Sequence, residues 1–162
     1  MRDLHATIWT YPWDLADEGF EAVAHNLAGE IGLSGMSLAS AYHTFEMLRP
    51  RSRGKVLLQI PRSAVYFRPR EKFYRDTPIR PLVSPLMGSA DWHAGAARAA
   101  DRAGLDLIAW TVFLHNSHLA GQHPECAIVA CTGDVSTAAL CPSVPAVRAY
   151  AVALARDLAS GY

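Results

Sequence analysis

Residues 105–116, LDLIAWTVFLHN, restrict the fold more than any other stretch of the chain. Leu107, Ile108, Ala109, Val112, Phe113 and Leu114 make a nearly unbroken apolar run with β-branched and aromatic members. The run is too short for most helices, and Gly104 and the polar His115, Asn116 and Ser117 bound it, so it reads as a strand buried on both faces. Strands of that kind belong to parallel sheets covered by helices, and such sheets bind ligands beyond the carboxyl ends of their strands. His115 and Asn116 are thereby expected at the functional edge.

The rest of the chain alternates around that stretch. Residues 4–10, LHATIWT, suit a first strand, which Tyr11, Pro12 and Trp13 break. Asp14 then serves as an N-cap, with Asp17 adding charge at the positive end of the helix dipole. Phe20, Val23, Ala24, Leu27 and Ile31 recur at helical spacing, and Gly32 supplies a left-handed stop. Residues 33–41, LSGMSLASA, make a weaker second strand that ends at Tyr42 and His43.

From 44 to 88 six prolines punctuate the chain and only 55–60, KVLLQI, looks regular. A connection of that length is expected to be an elaborated βα-loop over the site, anchored by Tyr66, Phe67, Phe73 and Tyr74. A helix follows from Ser89, with Asp91 in its first turn, an alanine face and Gly104 as its stop. After the strand of 105–116 and an irregular stretch, a last helix starts at Ser143 with Pro145 in its first turn. The order is β-α-β-α-β-α, an α/β chain of parallel β/α units in a single domain over 1–162.

Three such units make either a small open sheet or the opening portion of a closed barrel, which takes about 250 residues. A capped helix followed by Gly161 and Tyr162, where a further strand is expected, favours the second. A hydrophobic content of 51% over 162 residues is ample for a core. No apolar run reaches the length of a membrane span and the N-terminus lacks the apolar stretch of a secretory signal, so a cytoplasmic protein without a membrane partner is expected.

Fifteen Lys and Arg balance fifteen Asp and Glu, but residues 49–80 hold ten cations against Glu71 and Asp76. That segment carries +8 and the remainder −8, which predicts internal pairing and no nucleic-acid partner. Cys126, Cys131 and Cys141 show no CxxC or four-ligand zinc spacing and read as free thiols. His115, His118 and His123 match no familiar ligand pattern, so no metal and no other cofactor is expected. No dinucleotide fingerprint, P-loop or nucleophile elbow occurs.

Several stretches together resemble the glycoside-hydrolase-like (β/α)8 barrels found in bacterial genomes, many of unassigned activity. They are SLASAYH (37–43), AVYFRP (64–69), IRPLVSP (79–85), AWTVFLHNSHLAGQHPE (109–125) and LCPSVPAVRAYAVALARDLASGY (140–162). The resemblance implies a partial TIM barrel of about three units, the N-terminal portion of a protein acting on carbohydrate. In such barrels the next strand commonly brings a catalytic carboxylate, and this sequence ends before it. The resemblance therefore implies a chain inactive alone, because glycoside hydrolysis ordinarily needs two flanking carboxylates. The alternative is a non-catalytic α/β domain that binds a sugar or a partner.

Parallel units would bring Trp9, Tyr11, Trp13 and Asp14, then Tyr42 and His43, then Trp110, His115 and Asn116 to one rim. Sugars present flat CH faces and rings of hydroxyls, which aromatic platforms with nearby His, Asn and Asp suit. Asp14 is fully explained by capping, and Trp9 and Trp110, within strands, are expected more in the core than as platforms. No two acids have a spacing that compels a paired-carboxylate site, so no catalytic residue is assigned. An unclosed sheet would also expose strand edges and predicts self-association.

Overall fold

The computed structural model describes residues 4–50, 52 and 54–162. Residues 1–3 of the N-terminal stretch, and Arg51 and Arg53 of the basic segment, lie outside them. The chain opens with β1 (Thr7–Thr10) and α1 (Pro12–Glu18). Pro12 does not break structure but starts it: at the first helical position its missing N–H costs nothing. Asp14 is accordingly not an N-cap, since Tyr11 occupies that position and Asp14 lies in the first turn. Gly19, at φ 94°, divides the expected single helix, and α2 (Phe20–His25) continues through a π-helical turn over Asn26–Glu30 to Gly32 at φ 78°.

Next come β2 (Gly35–Tyr42), β3 (Phe45–Leu48), β4 (Leu57–Ile60) and the two-residue β5 (Ala64–Val65). The long connection is thus more ordered than expected, because β3 and β4 form an antiparallel hairpin and Val65 bridges to Val83. Tyr66, Phe67 and Tyr74 are fully buried and anchor the segment as expected. α3 (Trp92–Ala103) begins with the Asp91 carboxylate accepting from Ala94 N at 2.9 Å and stops at Gly104, φ 70°.

β6 (Asp106–Thr111), α4 (Ser117–Gln122), an antiparallel hairpin of β7 (Ala127–Val129) and β8 (Val135–Leu140), and α5 (Pro145–Gly161) complete the chain. β2 is the hub of the main sheet, with β1 and β6 parallel to it on either side and β5 antiparallel near its end. The small antiparallel sheets stand apart, and the main sheet is open rather than closed into a barrel. Met36 and Leu38 of β2 pack with Leu15, Ala24, Leu27 and the alanines of α3, so α1, α2 and α3 cover one face.

The expectation that residues 105–116 form a strand buried on both faces is corrected here. β6 is shorter, Asp106–Thr111, and has a partner strand on one side only. Ile108 is 43% exposed, while all eight residues of β2 are buried. Among the described residues, three cations of the basic segment pair internally. Arg49 reaches Asp14 at 2.9 Å and also Asp17, Arg70 reaches the buried Asp157 at 2.7 Å, and Arg80 reaches Glu71 at 3.0 Å. Cys126, Cys131 and Cys141 are free, and among the described residues no helix is long and apolar enough to cross a membrane.

Candidate functional site

The open face of the sheet carries a connected series of aromatic rings. Trp9 stands opposite Ser37 and Trp110 opposite Ala39 in the strand register. Their strands flank β2 at about 4.8 Å on each side, yet the two indole centroids are only 5.0 Å apart, so the rings converge over β2. Only small side chains at Ser37 and Ala39 leave room for that, and both are buried beneath the rings. Trp9 remains 71% exposed.

The series continues toward the carboxyl ends of the strands. Trp110 meets Tyr42 at 5.0 Å and Tyr11 at 5.6 Å, and the Tyr11 and Tyr42 hydroxyls are 3.3 Å apart. Burial and the Tyr42 hydrogen bond push the Tyr11 hydroxyl up to about 12, which keeps it a neutral donor and acceptor at any ordinary pH. Tyr42 stacks on His43 at 4.4 Å, and His43 stacks on the exposed His115 at 4.6 Å. His43 Nδ1 lies 2.6 Å from the Thr44 carbonyl and so donates to it, leaving Nε2 as the ring's acceptor. Thr44 and Ser117 hydroxyls at 3.1 Å tie the end of β2 to the start of α4.

Tyr42, His43, Trp110 and His115 therefore meet in one cluster. Of the remaining expected rim residues, Trp13 forms the buried end of the same cluster, while Asp14 and Asn116 have different surroundings. Trp13 is 2% exposed, stacks on Tyr11 at 4.7 Å and belongs to the core with Tyr66 and Met87. Asp14 is held by Arg49, with burial raising its carboxyl and the guanidinium opposing that rise. Asn116 is buried and caps α4, its side-chain oxygen accepting from Leu119 N at 3.0 Å.

Trp9 and Tyr11, both expected at the rim, also belong to the cluster, and so does Phe45, which sequence reasoning did not single out. The signal for Trp9 and Tyr11 was the alternation of the first strand, which puts both on one face. Phe45 meets Tyr11 at 5.6 Å and Tyr42 at 5.5 Å, but it arrives on β3, a strand the proline-rich segment concealed.

Carboxylates are engaged elsewhere. Asp91 caps α3 and accepts from the Tyr162 hydroxyl at 2.7 Å, Glu125 pairs with His123 at 3.3 Å, and Asp134 accepts from Thr132 at 2.6 Å. His115, His118 and His123 do not converge, and among the described residues no group of three metal-ligating side chains forms. The arrangement offers flat apolar faces beside hydroxyl and imidazole groups, with no carboxylate hydrogen-bonded to them among the described residues. No known protein family, curated protein or solved structure matches the chain.

Proposed function

We propose that the lip formed by Trp9, Tyr11, Tyr42, His43, Trp110 and His115 binds carbohydrate. The reading includes the fold: three β/α units akin to the opening part of a glycoside-hydrolase-like (β/α)8 barrel. Strand order β1-β2-β6 follows chain order and α1 to α3 cover a single face, which is how such a barrel winds.

The observation that carries the proposal is the indole pair over Ser37 and Ala39, Trp9 exposed and Trp110 half-buried, continuous with two tyrosine hydroxyls and two imidazoles. A pyranose can lay its CH face on the indoles while its hydroxyls exchange hydrogen bonds with Tyr11, Tyr42 and His43 Nε2. Asp14, Asp91, Glu125 and Asp134 are occupied with protein partners, so the chain binds without hydrolysing. Internal pairing of Arg49, Arg70 and Arg80 favours a neutral sugar over nucleic acid as the ligand.

Titration with neutral oligosaccharides of different linkage, followed by indole fluorescence, tests this. At least one series should perturb the signal saturably, and Trp110→Ala should weaken binding roughly tenfold, the loss of about 1.5 kcal/mol of ring contact. Aryl glycosides should not be cleaved. No saturable change with any sugar, or turnover by the chain alone, contradicts the proposal.

A further inference from the structure

The main sheet ends in two open parallel edges. β1 is exposed at Thr7, Ile8 and Trp9. β6 lies beside a groove of about 680 Å³ that runs between α3 and α5, lined by Leu107, Ala109 and Thr111 of the strand, Ala97 of α3, Leu158 of α5 and Tyr162 just beyond it. Asp106 N donates to Ser34 O and Val112 N to Ala41 O, so the alternation of a parallel ladder turns the N–H groups of Leu107, Ala109 and Thr111 toward this groove. Edges that stay solvated in native proteins are blunted by lysine, proline or inward charge. TIWT carries none of these and DLIAWT has only Asp106, at its first position.

We infer that these edges are made for each other, the β1 edge of one copy adding in parallel to the β6 edge of a second copy. The complementarity is of direction, face and shape. Joined this way the sheet continues with all strands parallel and the helices on one face. Ile8 of the second copy would enter the groove over Leu107 and Ala109, on the face of Met36, and its Trp9 would lie on the open face beside Ile108. Ile8 at 42% and Ile108 at 43% exposure are the apolar groups such a junction covers.

Pairing β6 with β6 across a two-fold axis fits poorly, because it would run antiparallel and bring a second α5 into the groove that α5 already flanks. A head-to-tail junction gives a ring where its rotation closes, two copies being the smallest, and an open row of copies where it does not. The inference does not depend on sugar binding, and its test uses no sugar.

Analytical ultracentrifugation of the full chain over a concentration series provides the test, with circular dichroism as the check on folding. The unaltered chain should associate reversibly. Ile8→Lys and Ile108→Lys, each on an exposed edge, should each weaken association about a hundredfold by placing an unpaired charge in the junction. Mixed one to one, the two variants should form a simple pair, since one intact β6 edge and one intact β1 edge remain. If lysine unfolds either strand, Ile8→Gln and Ile108→Gln should show the same order with smaller shifts. A monomeric unaltered chain overturns the inference, as does a single variant that associates undiminished or a mixture of folded variants that stays monomeric.

Discussion

β2 and β6 are hydrogen-bonded neighbours running in the same direction, and their compositions are opposite to their burial. β2, GMSLASAY, is built mostly from Gly, Ser and Ala and is buried along its whole length. β6, DLIAWT, begins the most hydrophobic stretch of the chain and leaves Ile108 43% exposed. Position in the sheet accounts for the difference. A central strand is covered by whatever its neighbours carry, so small residues there let Trp9 and Trp110 close over one face and α1 to α3 press on the other. An edge strand has one neighbour, and its large side chains extend over open space.

Truncation separates the two strands most strongly. Leu38→Ala should cost about 2–5 kcal/mol by leaving a cavity between β2 and the helices, whereas Ile108→Ala on the open face should cost less than about 1 kcal/mol. Urea denaturation measures both, and equal losses would break the comparison.

Acid sharpens it at the top of β2. Ser40 Oγ lies 3.3 Å from Nδ1 of His93, which is 2% exposed on α3. Burial, against the weaker pull of Asp91, lowers this imidazole to about 4 from its ordinary 6.5. As pH falls below 6.5 the unfolded chain takes up a proton that the folded chain refuses, so stability declines until about pH 4 and then levels. The full loss is about 3 kcal/mol. Denaturation profiles across that window should flatten in His93→Gln, and an unchanged slope would show that His93 is not the group responsible.

Close approach of the two strands makes a smaller test. A side-chain carbon at Gly35 would stand 2.7 Å from the Asp106 carbonyl oxygen, so Gly35→Ala must push β2 and β6 apart. The expected cost is about 1–3 kcal/mol by thermal or urea denaturation. Trp9→Ala should change stability by less than about 1 kcal/mol, because most of the ring is already in water, and a larger loss would mean that its contact with Trp110 holds the sheet together.

Alternation of strands and helices was legible because it rests on local chemistry: the left-handed stops at Gly32 and Gly104 and the buried aromatics of the proline-rich segment, although α3 starts at Trp92 with Asp91 as its cap and not at Ser89. Which strand is central was not, since centrality depends on pairing partners distant in sequence. β4 falls within the stretch 55–60 that looked regular, but its partner β3 and the hairpin β7/β8 were hidden for a related reason: each is largely exposed or half-buried and so lacks a strong apolar alternation. Trp13 lies in the core because Pro12 starts a helix that buries it, and Trp9 lies on the open face because its register opposite Ser37 turns it there. At the strand ends Tyr42, His43 and His115 lie side by side, a juxtaposition that follows from parallel neighbours ending at one edge. The capping role of Asn116 could have been read from its position three residues before Leu119 and next to Ser117, a short helix start.

Site-resolved amide hydrogen exchange, at a dilution where the chain is monomeric, tests the central claim most directly. An enclosed β2 beside an open β6 predicts that Met36 to Ala41 exchange only through global unfolding, while Leu107, Ala109 and Thr111 exchange orders of magnitude faster than Ile108 and Trp110. Uniformly slow exchange along β6, equal to that of β2, would contradict it.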